Sequence, residues 1–543
     1  MTKKISRRSF MGRIGVVGAA AGGGMLLPDD SAQAMGGVPN PDPEHLKAKQ
    51  GGWVVQPNGV DDLANIEFAL KNTAPGGTVK LTKGVFKFGG AGSIADFDGV
   101  FTGSGRDKTI LTTSDEYNYE LWEAPGGGKD QGQHRPLPFP RRSVDGSPTK
   151  NAPGFLFFYK TPLNTGEDPA DRANRIEIRD MACRGAAIGE PWALGDEVLC
   201  ISVSNTIDWH NPGLPLETTR QDVLISRVDA AGYKTSEFGP FGNACACINV
   251  LGGLDLTDNY NLEGSVDGDA LGLANGGIIG LRPAEGNVTM SDCRLANCRL
   301  GPAIAGYKNG TLIFENISTD GCRADCIRFL DNSNCKMIVR DCDLNCNSFT
   351  LPPEMAPGGI SNQPSSLGCV LGIQGVQAVF GFPQNIQWLT LAFDPTRHPD
   401  PRTIGTWRAQ GPSVAPQPST LKIVDNSCVS TETPFTYCVH LIDGVNLAFG
   451  TPTLSVNIRR NDCNDSETCV SLEHVDDALV RNNDCNSQSF GVELHNSPNA
   501  QVINNEFNFT SGGAGCEVRM LNLGDKVGFS HVLPGAGSCW VQG

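Results

Sequence analysis

The chain has 543 residues, a formal net charge of −16 and abundant glycine (66) and proline (35). That length exceeds one ordinary compact core and fits several domains or one long repeat. The acidic balance argues against general binding to nucleic acid or to an anionic membrane, which needs a basic surface.

Residues 1–34 read as an export signal. Arg7 and Arg8 in "SRRSF" precede a Gly/Ala-rich, mildly apolar stretch, and "SAQA" places Ala32 and Ala34 in a small-x-small cleavage pattern. The arginine pair resembles the twin-arginine (Tat) signal, S/T-R-R-x-F-L-K, with Met11 and Gly12 in place of its last two residues. The resemblance implies export of an already folded chain, to the periplasm or beyond. The apolar run is short and glycine-rich for a span of ~20 residues, so no stable membrane span is expected once the signal is removed. Removal takes away five basic and two acidic residues and leaves a charge of −19.

Residues 35–113 hold one amphipathic helix, "DDLANIEFALKN" (61–72), and two strand-rich motifs. These are "GGTVKLTKGVFKF" (76–88) and "GVFTGSGRDKTILTT" (99–113), with Gly103, Gly105, Thr109 and Leu111 in the second. Glycine permits tight corners, and Thr–Ile–Leu runs favour strands. Both motifs resemble the opening coils of the pectin-lyase-like superfamily. That resemblance implies a right-handed parallel β-helix whose open end is capped by the helix. The superfamily includes lyases, hydrolases, esterases, epimerases, tailspikes and adhesins, so the resemblance leaves activity open.

Residues 114–175 form a long insertion. Tyr117, Tyr119 and Trp122 offer faces for sugar rings, and Arg135, Arg141 and Arg142 offer forks for carboxylates. They are the candidate substrate-binding residues.

Residues 176–510 carry a repeat written apolar-x-polar-x-x-(apolar or Cys). Its first positions include Ile178, Met290, Phe314, Val339, Ile423, Ile458, Val480 and Val502. From Met290 onward they step by 24, 25, 84, 35, 22 and 22 residues, so a lap of 22–25 carries insertions, the largest at about 347–419. A second strand precedes each repeat, as in "IRFLD", "VSLEH" and "VELHN". Short strands between polar corners at this period predict an all-β, parallel β-helix solenoid with a short N-terminal capping helix and loop insertions. Residues 511–543 then form a C-terminal cap.

Stacking accounts for the composition. Corner residues such as Asn482 are expected to point inward and hydrogen-bond from lap to lap. Cys428, Cys463 and Cys485 share one template position, where cysteine serves as a small buried hydrophobe. Disulfides remain open for sites expected to be exposed, such as Cys516 and Cys539. The 19 cysteines lack the C-x-x-C and C-x-x-C-H spacings of zinc ribbons, ferredoxins and haem sites.

Chemistry on such a fold belongs on an outward strand face. One outward column holds Arg328, His440, Ser471 and Glu493; the next holds Leu330, Ile442, Glu473 and His495, with His474 at the strand end. Laps lie ~4.8 Å apart and alternate side chains ~6.7 Å apart. Glu473, His474, Glu493 and His495 therefore fall within one sugar-sized patch, and they join Arg328 and His440 as candidate catalytic residues. Paired carboxylates suit glycoside hydrolysis. A His or Arg beside them suits proton abstraction, and a bound cation, calcium being one candidate, would stabilise the intermediate if the protein is a lyase; the sequence assigns no cofactor. The expected function is binding, with cleavage, of a polysaccharide; the alternative is a non-catalytic structural or adhesive solenoid.

Overall fold

The computed structural model describes residues 41–89, 92–114, 154–160, 173–184, 198–204, 220–231, 246–251, 284–296, 301–320, 325–330, 332–345, 368–374, 417–430, 436–443, 446, 450–510, 515–521 and 538–540. All lie in one compact unit, Val38–Gly543. Among the described residues, the principal sheet has 32 strands. It opens with an antiparallel pair, Leu46–Lys49 and Gly52–Val55, and then proceeds by parallel pairings. The fold is an all-β parallel β-helix.

Each lap contributes to three stacks of strands. The first stack includes Val288–Ser291, Thr311–Glu315, Lys336–Arg340, Ser419–Val424, Leu454–Arg459, Asp477–Arg481 and Gln501–Ile503. Its register aligns Met290, Phe314, Val339, Ile423, Ile458, Val480 and Val502 in one column, so the steps read from the sequence are true laps. One further lap stands between Ile178 and Met290, carried by Ile225 in Gln221–Ala231. Ile225, Arg227 and Ala230 fit the template as Ile458, Arg460 and Cys463 do, so this lap was legible and was passed over.

The second stack follows a tight corner. It runs through Ser427–Val429, the opening residues of the long strands Asp462–Glu473 and Asp484–His495, and Glu506–Phe509. The third stack runs through Asp325–Leu330, Gly368–Gln374, Tyr437–Asp443, the later residues of the same two long strands, Cys516–Leu521 and Ser538–Trp540. Gly368–Gln374 lies inside the 347–419 segment, so that segment also supplies a strand to the solenoid.

The corner between the first and second stacks is built from two adjacent residues with different tasks. Asp180, Arg227, Asp292, Asn316, Asp341, Asp425, Arg460, Asn482 and Asn504 all adopt left-handed backbone, with φ between 51° and 60°. Asn and Asp tolerate this conformation better than other side chains, because they hydrogen-bond locally. Asn482 is exposed, which corrects the expectation that this column points inward. The inward amides are the next residues: Asn426, Asn461, Asn483 and Asn505. Asn426 Nδ2 donates to Asn461 Oδ1 at 2.8 Å, Asn461 to Asn483 at 2.9 Å, and Asn483 to Asn505 at 2.8 Å. The same nitrogens also donate to the carbonyls of Val339, Ile423 and Ile458. Earlier laps place Cys293 and Cys342 in this column, with their thiols directed at the carbonyls of Ile225 and Phe314. Burial pushes both thiols up to about 12.

Cys428, Cys463 and Cys485 stack in register and are fully buried, as expected. Cys516 is also buried, which corrects the expectation that it is exposed; the side chain of Cys539 lies outside the described residues. At the N-terminal end the helix Leu63–Lys71 sets Leu63, Ile66, Ala69 and Leu70 against the solenoid core. Gly103 is required by space, since a Cβ there would lie 2.2 Å from the Asp180 carbonyl oxygen. Among the described residues no helix is long and apolar enough to cross a membrane.

Candidate functional site

The third stack positions the candidate site. Val439, Leu441, Val470, Leu472, Val492 and Leu494 belong to the core. Alternation therefore turns His440, Ile442, Ser471, Glu473, Glu493 and His495 outward. Register aligns Arg328, Leu371, His440, Ser471, Glu493 and Arg519 in one column. The adjacent column is Leu330, Ile373, Ile442, Glu473, His495 and Leu521.

Five of the six candidate catalytic residues come together. His440 Nε2 lies 3.7 Å from Glu473 Oε2, and His495 Nε2 lies 3.9 Å from Glu493 Oε2. His474 sits at the strand end with a φ of 56°, and its backbone N–H donates to the His495 carbonyl. Burial lowers the His474 pKa and favours its neutral form, although Glu473, Asp476 and Asp443 pull the other way. Arg328 is the exception. Leu371 stands between it and His440, which sets them two laps apart, about 10 Å. Its guanidinium instead donates to the Gly301 carbonyl. The intervening third-stack strand, Gly368–Gln374, was hidden in the Pro/Gly-rich 347–419 segment.

Three residues not foreseen complete the cluster. Arg519 Nη1 contacts Glu493 Oε1 at 2.9 Å, and its guanidinium lies 4.5 Å from the Phe490 ring centroid. Thr468 Oγ1 donates to Glu493 Oε2 at 3.1 Å. The Tyr437 ring lies 4.6 Å from that of His440. Continuing the alternation one lap further, from "VEL" to "EVR", would have found Arg519. Tyr437 was legible only through its pairing with Thr468.

Electrostatics separates the groups. Burial opposes ionisation of Glu493, but the hydrogen bond and charge of His495, the charge of Arg519 and the Thr468 hydroxyl together hold its pKa below the usual value. Burial, with Glu493, Glu467 and Glu473 nearby, raises the Tyr437 phenol, which stays a neutral donor. Glu473 Oε2 is buried and has no hydrogen-bond donor among the described residues, with His440 Nε2 3.7 Å away.

No family model matches the chain, and no curated protein matches it. Solved structures do. A surface protein and adhesin of Streptococcus pneumoniae, PfbA, matches at 10% identity over 86% of this chain and 97% of its own, with a TM-score of 0.39. The A-module of the Azotobacter vinelandii mannuronan C-5 epimerase AlgE4 matches at 12% identity over 87% and 96%, with a TM-score of 0.32. The catalytic unit of a GH87 α-1,3-glucanase from Streptomyces thermodiastaticus matches at 12% identity over 87% and 67%, with a TM-score of 0.21. At such scores these likenesses select no activity and no site residue for this chain.

Tyr117, Tyr119, Trp122, Arg135, Arg141 and Arg142 lie outside the described residues, as does the export signal. Among the described residues no three His, Cys, Asp or Glu side chains come together as a metal site, so the candidate calcium of a lyase has no such ligand set there.

Proposed function

We propose that this protein is an exported, pectin-lyase-like β-helix protein that binds and cleaves a polysaccharide along the outer side of its third stack. The observation that carries this reading is the register of two adjacent outward columns. It sets Glu473 one lap and one column from Glu493, each beside a histidine. By lap and strand spacing their Cα positions lie about 8 Å apart. Two carboxylates on that scale can flank a glycosidic bond. In this reading Glu493, held ionised by Arg519 and His495, carries negative charge at neutral pH. The His440–Glu473 pair exchanges protons with the substrate, and Tyr437 donates a hydrogen bond to it. The twin-arginine resemblance supports export to the periplasm or beyond.

The test is a panel of uronate and neutral polysaccharides, read by reducing ends and by the ultraviolet absorbance of unsaturated uronate. Glu473→Gln and Glu493→Gln should each lower turnover by about 10²–10⁴-fold. Full activity in both variants would remove this site, and silence across the panel would remove the catalytic reading.

One observation favours a second reading. His440 and Glu493 are only 4% and 5% exposed. A face closed to that degree suits a non-catalytic structural or adhesive solenoid. That reading predicts glycan binding without turnover, unchanged in a Glu473→Ala/Glu493→Ala variant.

A further inference from the structure

The outward side of the first stack carries a charge pattern that the third stack does not use. Arg459 and Arg481 are register partners on adjacent laps, about 4.8 Å apart. Lys422 stands on the preceding lap, one column over. Neighbouring cations are already neutralised. Arg340 contacts Glu315 at 2.8 Å, and Arg460 grips Asp425 with two contacts of 2.7 Å. Lys422, Arg459 and Arg481 form no ion pair among the described residues. Arg481 Nε is also buried without a hydrogen-bond partner.

Like charges directly opposite on adjacent strands destabilise a sheet, and an unpaired buried donor adds to that cost. Here the two arginines are register partners with no acidic partner among the described residues, in a chain whose net charge is −16. Val424, Leu479 and Ile503 beside them are aliphatic and half-buried, whereas Asn457, between Lys422 and Leu479 in the adjacent column, is polar. The result is a strip along the solenoid axis in which two stacked guanidinium forks are flanked by the C–H surface of Val424 and Ile503.

We propose that this strip is a docking surface for a carboxylated polysaccharide. Guanidinium forks match planar carboxylates in two parallel hydrogen bonds. The aliphatic residues accept the C–H faces of sugar rings. A glycan lying along the axis meets an arginine on each of two successive laps, so its recurring carboxylates find recurring partners. The proposal adds a second surface to the polysaccharide reading and does not rest on catalysis at the third stack.

The experiment is a binding titration of the full chain with fluorescently labelled polygalacturonate. Affinity should fall with salt. The Arg459→Glu/Arg481→Glu variant should bind about ten-fold or more weakly, while Arg459→Lys/Arg481→Lys keeps part of the affinity. Methyl-esterified polygalacturonate and dextran should bind no better than the charge-reversed variant binds polygalacturonate. Circular dichroism and melting of each variant establish that it is folded. The Glu473→Gln/Glu493→Gln variant should retain this binding. Loss there, with none in folded Arg459→Glu/Arg481→Glu, would overturn the strip and leave the third-stack reading standing. Equal binding of the esterified polymer, tighter binding of single-stranded DNA, or no binding by the wild type would also overturn it.

Discussion

Two neighbouring asparagines at one corner do different work, and substitution separates them. Asn483 accepts from the N–H and Nδ2 of Asn461 and donates to Asn505 and to the Ile458 carbonyl, all inside the solenoid. Asn483→Ala strands those partners and should lower unfolding free energy by about 1–3 kcal/mol in denaturant titration. Asn482 supplies only a left-handed backbone and an exposed amide, so Asn482→Gly should stay within about 1 kcal/mol of wild type. A second residue-scale effect depends on pH. Arg227 grips Asp180 with contacts of 2.7 and 3.0 Å, and this hydrogen bond holds the Asp180 pKa below its ordinary 3.8. A depressed folded pKa contributes stability above the unfolded value and loses it as pH falls through the folded one. Melting temperature should therefore fall from pH 5 to pH 2 less steeply in Arg227→Ala than in wild type. The effect is modest, because both side chains are partly wetted. The sequence pattern made the amides conspicuous, but not which of two consecutive amides turns inward; backbone handedness decides that.

At the scale of strands, alternation was readable because inward positions accept only small or apolar side chains. Ile458 and Val480 announce their laps for this reason, and both are fully buried. Ile458→Ala should cost about 2–5 kcal/mol. The lap at Ile225 fits the template yet was passed over, and the strand Gly368–Gln374 was hidden by the Pro/Gly-rich sequence around it. That second omission displaced Arg328 from the candidate site. The charged cluster was half legible: Glu473 and His495 stand out within a strand, whereas Arg519 acquires meaning only from Glu493 on the lap before. Cysteines form strand-scale columns too. Twelve described cysteines are buried. An alkylating reagent should leave them unmodified in the native protein, and modification should follow the unfolding rate. Rapid modification of Cys463 under native conditions would contradict its place in the interior.

Across the whole molecule, one repeated backbone carries separate chemistries on its outer sides. In the last laps the first stack offers Arg459 and Arg481. The second offers Asp462, Asp484 and Glu506 in register. The third offers Glu473, Glu493 and the histidines. The repeat specifies the interior, and only departures from it differentiate the exterior, so function was less readable than fold. The laps also have a mechanical consequence. Their strand-to-strand hydrogen bonds lie along the solenoid axis, so tension along that axis loads laps in series rather than together. Pulled from the C-terminal end, the protein should yield one lap at a time. Each 22-residue lap between Ile458 and Val502 should release about 70 Å of chain, a step that optical-tweezer extension can resolve.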